Sequence, residues 1–314
     1  MSNPSTSSAL KPKLTFELMI EHLEEKQVKF NHTSKEEARI ILENSNYFYK
    51  ITAFRKNFEK NNKNKYVNLD FKHLQDLATL DMRLRYLVMH MSLDIEHAIK
   101  TKILADITND VKEDGYSIVD SFLKDEQKML EDYLHAVKKD THYNYGLYNR
   151  YKYKLPVWVF FEIITFGTFV KFIEFYYREK GRPVKYKELN ELIRYVKNVR
   201  NTAAHSSPIL LDITQKGQIH PKKISFPITT FVKRVPGISD GVRKKRLSNR
   251  KIHDLTVLLY VHNRYIESEG IKNARYKELE NFLLRAKREK KLYAEQDSLQ
   301  AVYNYFNKIV DYLC

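Results

Sequence analysis

From Phe71 to about Thr108, leucine, isoleucine, methionine and valine recur at helical spacing with no glycine or proline between them, which predicts the longest helix of the chain. Ahead of it, Leu18, Met19, Ile20 and Leu23 line one side of a first helix. Ser34 and Glu37 have the spacing of a capping box that opens a second, and the aromatic stretch Asn46–Phe58 reads as a third. The run Glu59–Lys65 (EKNNKNK) is polar throughout and reads as an exposed loop. After a connection over Val111–Asp120, a helix is expected from about Lys124 to Lys138. Pro156 suits a helical first turn, and Pro156–Arg178 is apolar nearly all round, so it is expected as one central buried helix broken by Gly181-Arg182-Pro183. Leu189, Ile193, Val196 and Val199 form a stripe that leads into Arg200. Past Pro208 the pattern turns to short β-like pieces (PILLDI, KISFPITTFV), and helices resume over His253–Ser268, Tyr276–Lys291 and Ser298–Leu313.

These patterns divide the chain into a disordered tail (1–14), an N-terminal helical extension (15–70), a helical core (71–210), a basic and partly irregular insertion (211–252) and C-terminal helices that close the bundle (253–314). Only 8 Gly and 8 Pro leave few places for tight turns, which supports an all-α fold over a many-stranded one. The single cysteine, Cys314, excludes an intramolecular disulfide framework and a cysteine-rich metal site. The N-terminus has no apolar signal core, and Val157–Phe172 is too short to span a bilayer, so a cytoplasmic protein without a membrane partner is expected.

The formal charge of +16 points to a polyanionic partner. From Lys216 to Lys251 there are eleven Lys or Arg against one acid, Asp240, so more than half of that charge sits in one segment. Within it Lys222, Lys223, Lys233, Arg234, Arg243, Lys244, Lys245 and Arg246 are candidate RNA-binding residues. About five such contacts to single-stranded RNA predict that log K falls with log salt at a slope of roughly −3.5. The tyrosines of His142–Lys154 are read mainly as packing. No zinc-binding spacing, phosphate-binding loop or dinucleotide turn is present, so no metal and no cofactor is expected.

The chemistry concentrates in Arg200-Asn201-Thr-Ala-Ala-His205, which puts a permanent cation, an amide and an imidazole within one and a half helical turns. Asn201 and His205 are four apart and share a face, and Ala203 and Ala204 keep the surface low. Metal-independent RNA cleavage needs a proton carrier that works near neutral pH and a fixed positive charge for the phosphorane, roles that suit His205 and Arg200. Asn201 would orient the phosphate or the histidine tautomer. One histidine does not easily serve both ends of an in-line displacement, so a homodimer with a composite site is expected. Arg85 and His90 repeat the spacing, but inside an apolar helix and without the amide or the small residues, and they are read as structural. Glu162, a carboxylate in an apolar helix, is expected to be buried and paired, either positioning Arg200 or His205 or fixing helix packing; Glu96 is a weaker candidate for the same task.

The run LPVWVFFEIITFGTF (155–169), followed about thirty residues later by RNTAAHS, resembles the Abi-like family of abortive-infection phage-resistance proteins. NSNYFYKITAFRKNF (44–58), the run over Leu80–Ile103 and the helix after the basic segment resemble it too, so the likeness covers roughly 15–290. The resemblance implies a HEPN-like helical bundle and a metal-independent endoribonuclease whose products carry 2′,3′-cyclic phosphate and 5′-hydroxyl ends. It implies catalytic roles for Arg200, Asn201, His205 and Glu162. Where family members often continue the motif with a further His and a basic residue, this chain has Ser206-Ser207-Pro208. The alternative is a non-catalytic module that holds a small regulatory RNA, and a third is a protein-interaction partner with no RNA affinity.

Overall fold

The computed structural model describes residues 12–45, 47–126, 130–179, 184–220 and 223–314. Those residues form fifteen α-helices and no strand, only two isolated bridges at Lys29–Asp70 and Lys60–Tyr66. The chain is therefore an all-α bundle. An N-terminal group comprises α1 (Phe16–Glu25), α2 (Lys35–Asn44) and α3 (Phe48–Ala53), with a 3-10 turn at Phe54–Asn57. Ser34 caps α2 through the Glu37 amide while the Glu37 carboxylate takes the Ser34 amide, the box that the sequence announced. Asn46 lies outside the described residues.

The spine is α4 (Phe71–Asn109), 39 residues long, with the span its pattern predicts. Its start is fixed by Asp70, whose carboxylate accepts the Lys72 and Asn31 amides at 2.8 Å each. Because α4 is buried on several sides it joins two apolar cores. Phe71, Leu74, Leu77 and Ala78 complete the core of the N-terminal group, and Leu84 through Ile107 belong to the main one.

Next come α5 (Ser117–Asp125), α6 (Leu130–Leu134), α7 (Tyr145–Tyr151), α8 (Val157–Ile163), α9 (Phe166–Glu179) and α10 (Val184–Ala204). The apolar stretch expected as one helix is thus two. Ile164 is extended, and Thr165 restarts the helix by accepting the Thr168 amide at 3.2 Å and the Phe169 amide at 2.9 Å. The expected Gly-Arg-Pro break lies outside the described residues. The β-like pieces also differ from expectation: KISFPITTFV carries α11 (Phe226–Arg234), with Pro227 in its first turn and Ile228, Phe231 and Val232 buried at helical spacing. The basic segment continues into α12 (Asp240–Leu247), and α13 (Arg250–Tyr265), α14 (Glu269–Lys287) and α15 (Asp297–Leu313) close the bundle. Around the site, α10 packs on α4, α9 and α13. Among the described residues no helix is long and apolar enough to cross a membrane.

Candidate phosphate-directed site at the end of α10

Leu189, Leu192, Ile193, Val196, Val199 and Ala203 are all buried, so one stripe of α10 is committed to the core. Arg200 and Asn201 fall at the edge of that stripe and are half-buried, whereas Ala204 and His205 are exposed. The helix ends in a Schellman motif. Ser206 donates its amide to the Ala203 carbonyl at 3.0 Å and Ser207 to that of Thr202 at 2.9 Å, with Ser206 at a φ of 54°. His205 is therefore the C-cap, yet its amide still bonds the Asn201 carbonyl at 3.0 Å, which preserves the four-residue register. Pro208 then keeps the chain from continuing as helix.

Arg200 is held from two sides. Its Nη1 donates to Asn201 Oδ1 at 3.1 Å, and its guanidinium lies 5.4 Å from the ring centre of Phe166. No carboxylate of the described residues pairs with Arg200, and the His205 ring makes no hydrogen bond. Near its end α10 thus carries a cation without a carboxylate partner among the described residues and, five positions on, an exposed imidazole. Among the described residues the Asn201 side chain meets Arg200 through its Oδ1 and makes no hydrogen bond to the His205 ring.

Glu162 does not meet its expectation. Ending α8 at Ile163 leaves its side chain exposed, and among the described residues its carboxylate pairs with neither Arg200 nor His205. What bonds at this position is its backbone carbonyl, which accepts from Asn144 Nδ2 at 3.1 Å. Glu96 pairs with Lys100 at 2.9 Å, and Lys100 sits over the Phe169 ring one turn from Phe166.

Spacing alone did not reveal how the segment after His205 is fastened. Asp81, fully buried on α4, accepts the amides of Ile209 at 2.6 Å and Leu210 at 2.8 Å, and Arg85 Nε completes it at 3.0 Å. Burial pushes the Asp81 carboxyl up, while the Leu210 amide and Arg85 pull it back toward the ionised form. From α13, Lys251 Nζ donates to the carbonyls of Pro208 and Leu211. Asn57 Nδ2 donates to the Leu210 carbonyl at 2.7 Å, and Asn249 Nδ2 to those of Asp212 at 2.8 Å and Gln215 at 3.0 Å. Arg85 is thus structural, as expected, but its partner is Asp81; His90 pairs instead with Glu278 at 3.1 Å. The signal in the sequence was Asp81 four residues before Arg85 inside an apolar helix.

Lys251 is the last of the eleven basic residues of the Lys216–Lys251 segment. Burial pushes its ammonium down to about 8. Since the unfolded chain holds that proton up to about 10.5, folding releases it between those values, and stability rises with pH across that window. The difference in unfolding free energy between wild type and Lys251→Met should therefore shift by about 3 kcal/mol in favour of wild type from pH 7.5 to 10.5. Urea titrations at the two pH values measure it, and a difference independent of pH would contradict a buried ammonium.

The basic segment divides by exposure. Lys223, Lys233, Arg234, Lys244 and Lys245 are exposed; Lys222 lies outside the described residues. Arg243 and Arg246 do not join them: both are buried, Arg243 pairing with Asp240 at 2.7 Å and Arg246 lying close to Tyr305. Packing α12 on its neighbours required their long side chains as wall material. Lys216 beside Lys245 pushes the latter's ammonium below the ordinary lysine range, a positive pair with no acid between.

The fold is thus an all-α bundle in which α10 ends with an arginine that has no carboxylate partner among the described residues, its supporting amide and an exposed histidine. The family model described as Abi-like protein matches residues 40–210, more than half of the chain, and the chain belongs to that family. Membership points to abortive-infection defence against phage. No curated protein and no solved structure matches the chain.

Proposed function

We propose that the protein is a metal-independent endoribonuclease of abortive infection, of the HEPN type, with Arg200, Asn201 and His205 as its working residues. The observation that carries this reading is the Arg200 guanidinium, fixed by Asn201 and Phe166 and without a carboxylate partner among the described residues, five positions before the exposed His205 at the same helix end. His205 exchanges the proton at the 2′-hydroxyl or the leaving 5′-oxygen, and Arg200 stabilises the charge that builds on the phosphorane. Asn201 keeps the guanidinium in plane for that task. Glu162, exposed and away from ion pairing, is given no step.

One imidazole per chain leaves the second proton transfer to another copy. Met82, Tyr86 and Leu93 are exposed on one face of α4, an apolar stripe about 16 Å long on the helix that anchors the segment after His205. We assign this stripe to a homodimer contact that joins two motifs. Lys216, Lys223, Lys244 and Lys245 supply the surface for the RNA backbone.

Purified protein and end-labelled RNA in EDTA should give fragments with 2′,3′-cyclic phosphate and 5′-hydroxyl ends. RNA that is retarded in a gel but never cut would instead favour a module holding a small regulatory RNA, a reading that the exposed lysines support equally well. Absence of both cutting and retardation would sink both.

A further inference from the structure

Away from α10, a cavity of about 300 Å³ lies among α4, α13, α14 and α15. Its walls are almost wholly aliphatic, with Leu84, Met91, Leu258 and Leu283 representative. Protein interiors are ordinarily packed with few voids larger than a water, so a gap of this size in a leucine-lined core is a space for something. It is about twice the roughly 150 Å³ of a dry aliphatic cavity known to take benzene.

The polar groups of the lining gather at one end. Lys287, at the end of α14, lies 6.0 Å from the Tyr303 ring centre, and the Lys290 amide folds back onto the Lys287 carbonyl at 3.0 Å. Gln300 Nε2 donates to the Tyr293 carbonyl at 2.8 Å, which brings the start of α15 to the same place. Lys287 and Lys290 are exposed, and among the described residues neither ammonium has a carboxylate partner. The nearby acid Asp76 is already taken by Arg285 at 2.8 Å and by the Tyr293 hydroxyl at 3.0 Å.

We propose that this cavity is a binding site for a free single-chain amphiphilic anion of the fatty-acid class, its alkyl chain among the leucines and its carboxylate between Lys287 and Lys290. A neutral apolar guest would leave the two lysines without a counter-charge, and a compact polar anion would leave the aliphatic walls empty. Leu210 and Ile213, from the segment that leaves His205, form part of the wall. The occupant therefore touches the stretch held by Asp81 and Asn57, and binding does not depend on whether RNA is cut.

The test is calorimetric titration of the full chain with decanoate below its micelle concentration, with decanol of equal chain length as the neutral control. Decanoate should bind one to one, about tenfold tighter than decanol, and Lys287→Gln with Lys290→Gln should reduce it to the decanol level. Both lysines are exposed, so the variant is expected to fold. Hydrogen exchange over residues 209–213 should slow when decanoate is bound. No saturable binding would overturn the proposal. So would equal binding of both probes that ignores the lysine changes, or binding confined to vesicles of anionic phospholipid.

Discussion

Replacement of Arg200 by alanine should lower single-turnover cleavage by about 10²–10³-fold while RNA affinity falls far less. The asymmetry follows from where the charge is needed. On the proposed reading, backbone affinity is spread over exposed lysines of the basic segment, whereas the guanidinium fixed by Asn201 and Phe166 meets the charge that develops in the transition state. Arg200→Lys keeps the charge but gives up the planar fork that Asn201 Oδ1 and the Phe166 ring hold in place. It should therefore recover only a small part of the rate. A loss of binding equal to the loss of rate, or full activity in the lysine variant, would show that Arg200 is one more backbone contact.

The second large effect concerns stability. Asp81→Ala should cost about 3–5 kcal/mol in urea unfolding, because it leaves the buried Arg85 without its counter-charge. It also strips the Ile209 and Leu210 amides of their acceptor. Asp81→Asn retains an oxygen for those amides and should cost about 1–2 kcal/mol less. Exchange of the amides at 209 and 210 should quicken in both variants, most in alanine. An unchanged unfolding free energy in Asp81→Ala would show that the segment after His205 is held by other means.

Much of the architecture could be read from local pattern, since α4, the capping box at Ser34 and the stripe that ends at Arg200 are matters of spacing within one helix. The failures have physical reasons. Phe226–Arg234 is rich in residues that favour strands, but burial of Ile228, Phe231 and Val232 on one face overrides that preference. The break at Ile164 and Thr165 was hidden because both flanking helices are apolar nearly all round, and only Thr165 before Thr168 marks the restart. At the site, Arg200, Asn201 and His205 were visible as a motif. Their support was not: Asp81 and Leu210 lie 129 positions apart, and only the fold makes them partners. Charge was legible, exposure was not. Arg243 and Arg246 flank Lys244 and Lys245 in the sequence, yet they are buried.

The central claim is that His205 carries a proton in RNA cleavage that needs no metal. Its most direct test is incubation of end-labelled tRNA and total RNA with wild type and His205→Ala, both in EDTA. His205 is an exposed cap whose ring makes no hydrogen bond among the described residues, so its loss should leave stability within about 0.5 kcal/mol of wild type and isolate the chemistry. Cutting by wild type and none by the variant is the expected result. Equal cutting by both, or cutting by wild type that EDTA abolishes, would contradict it.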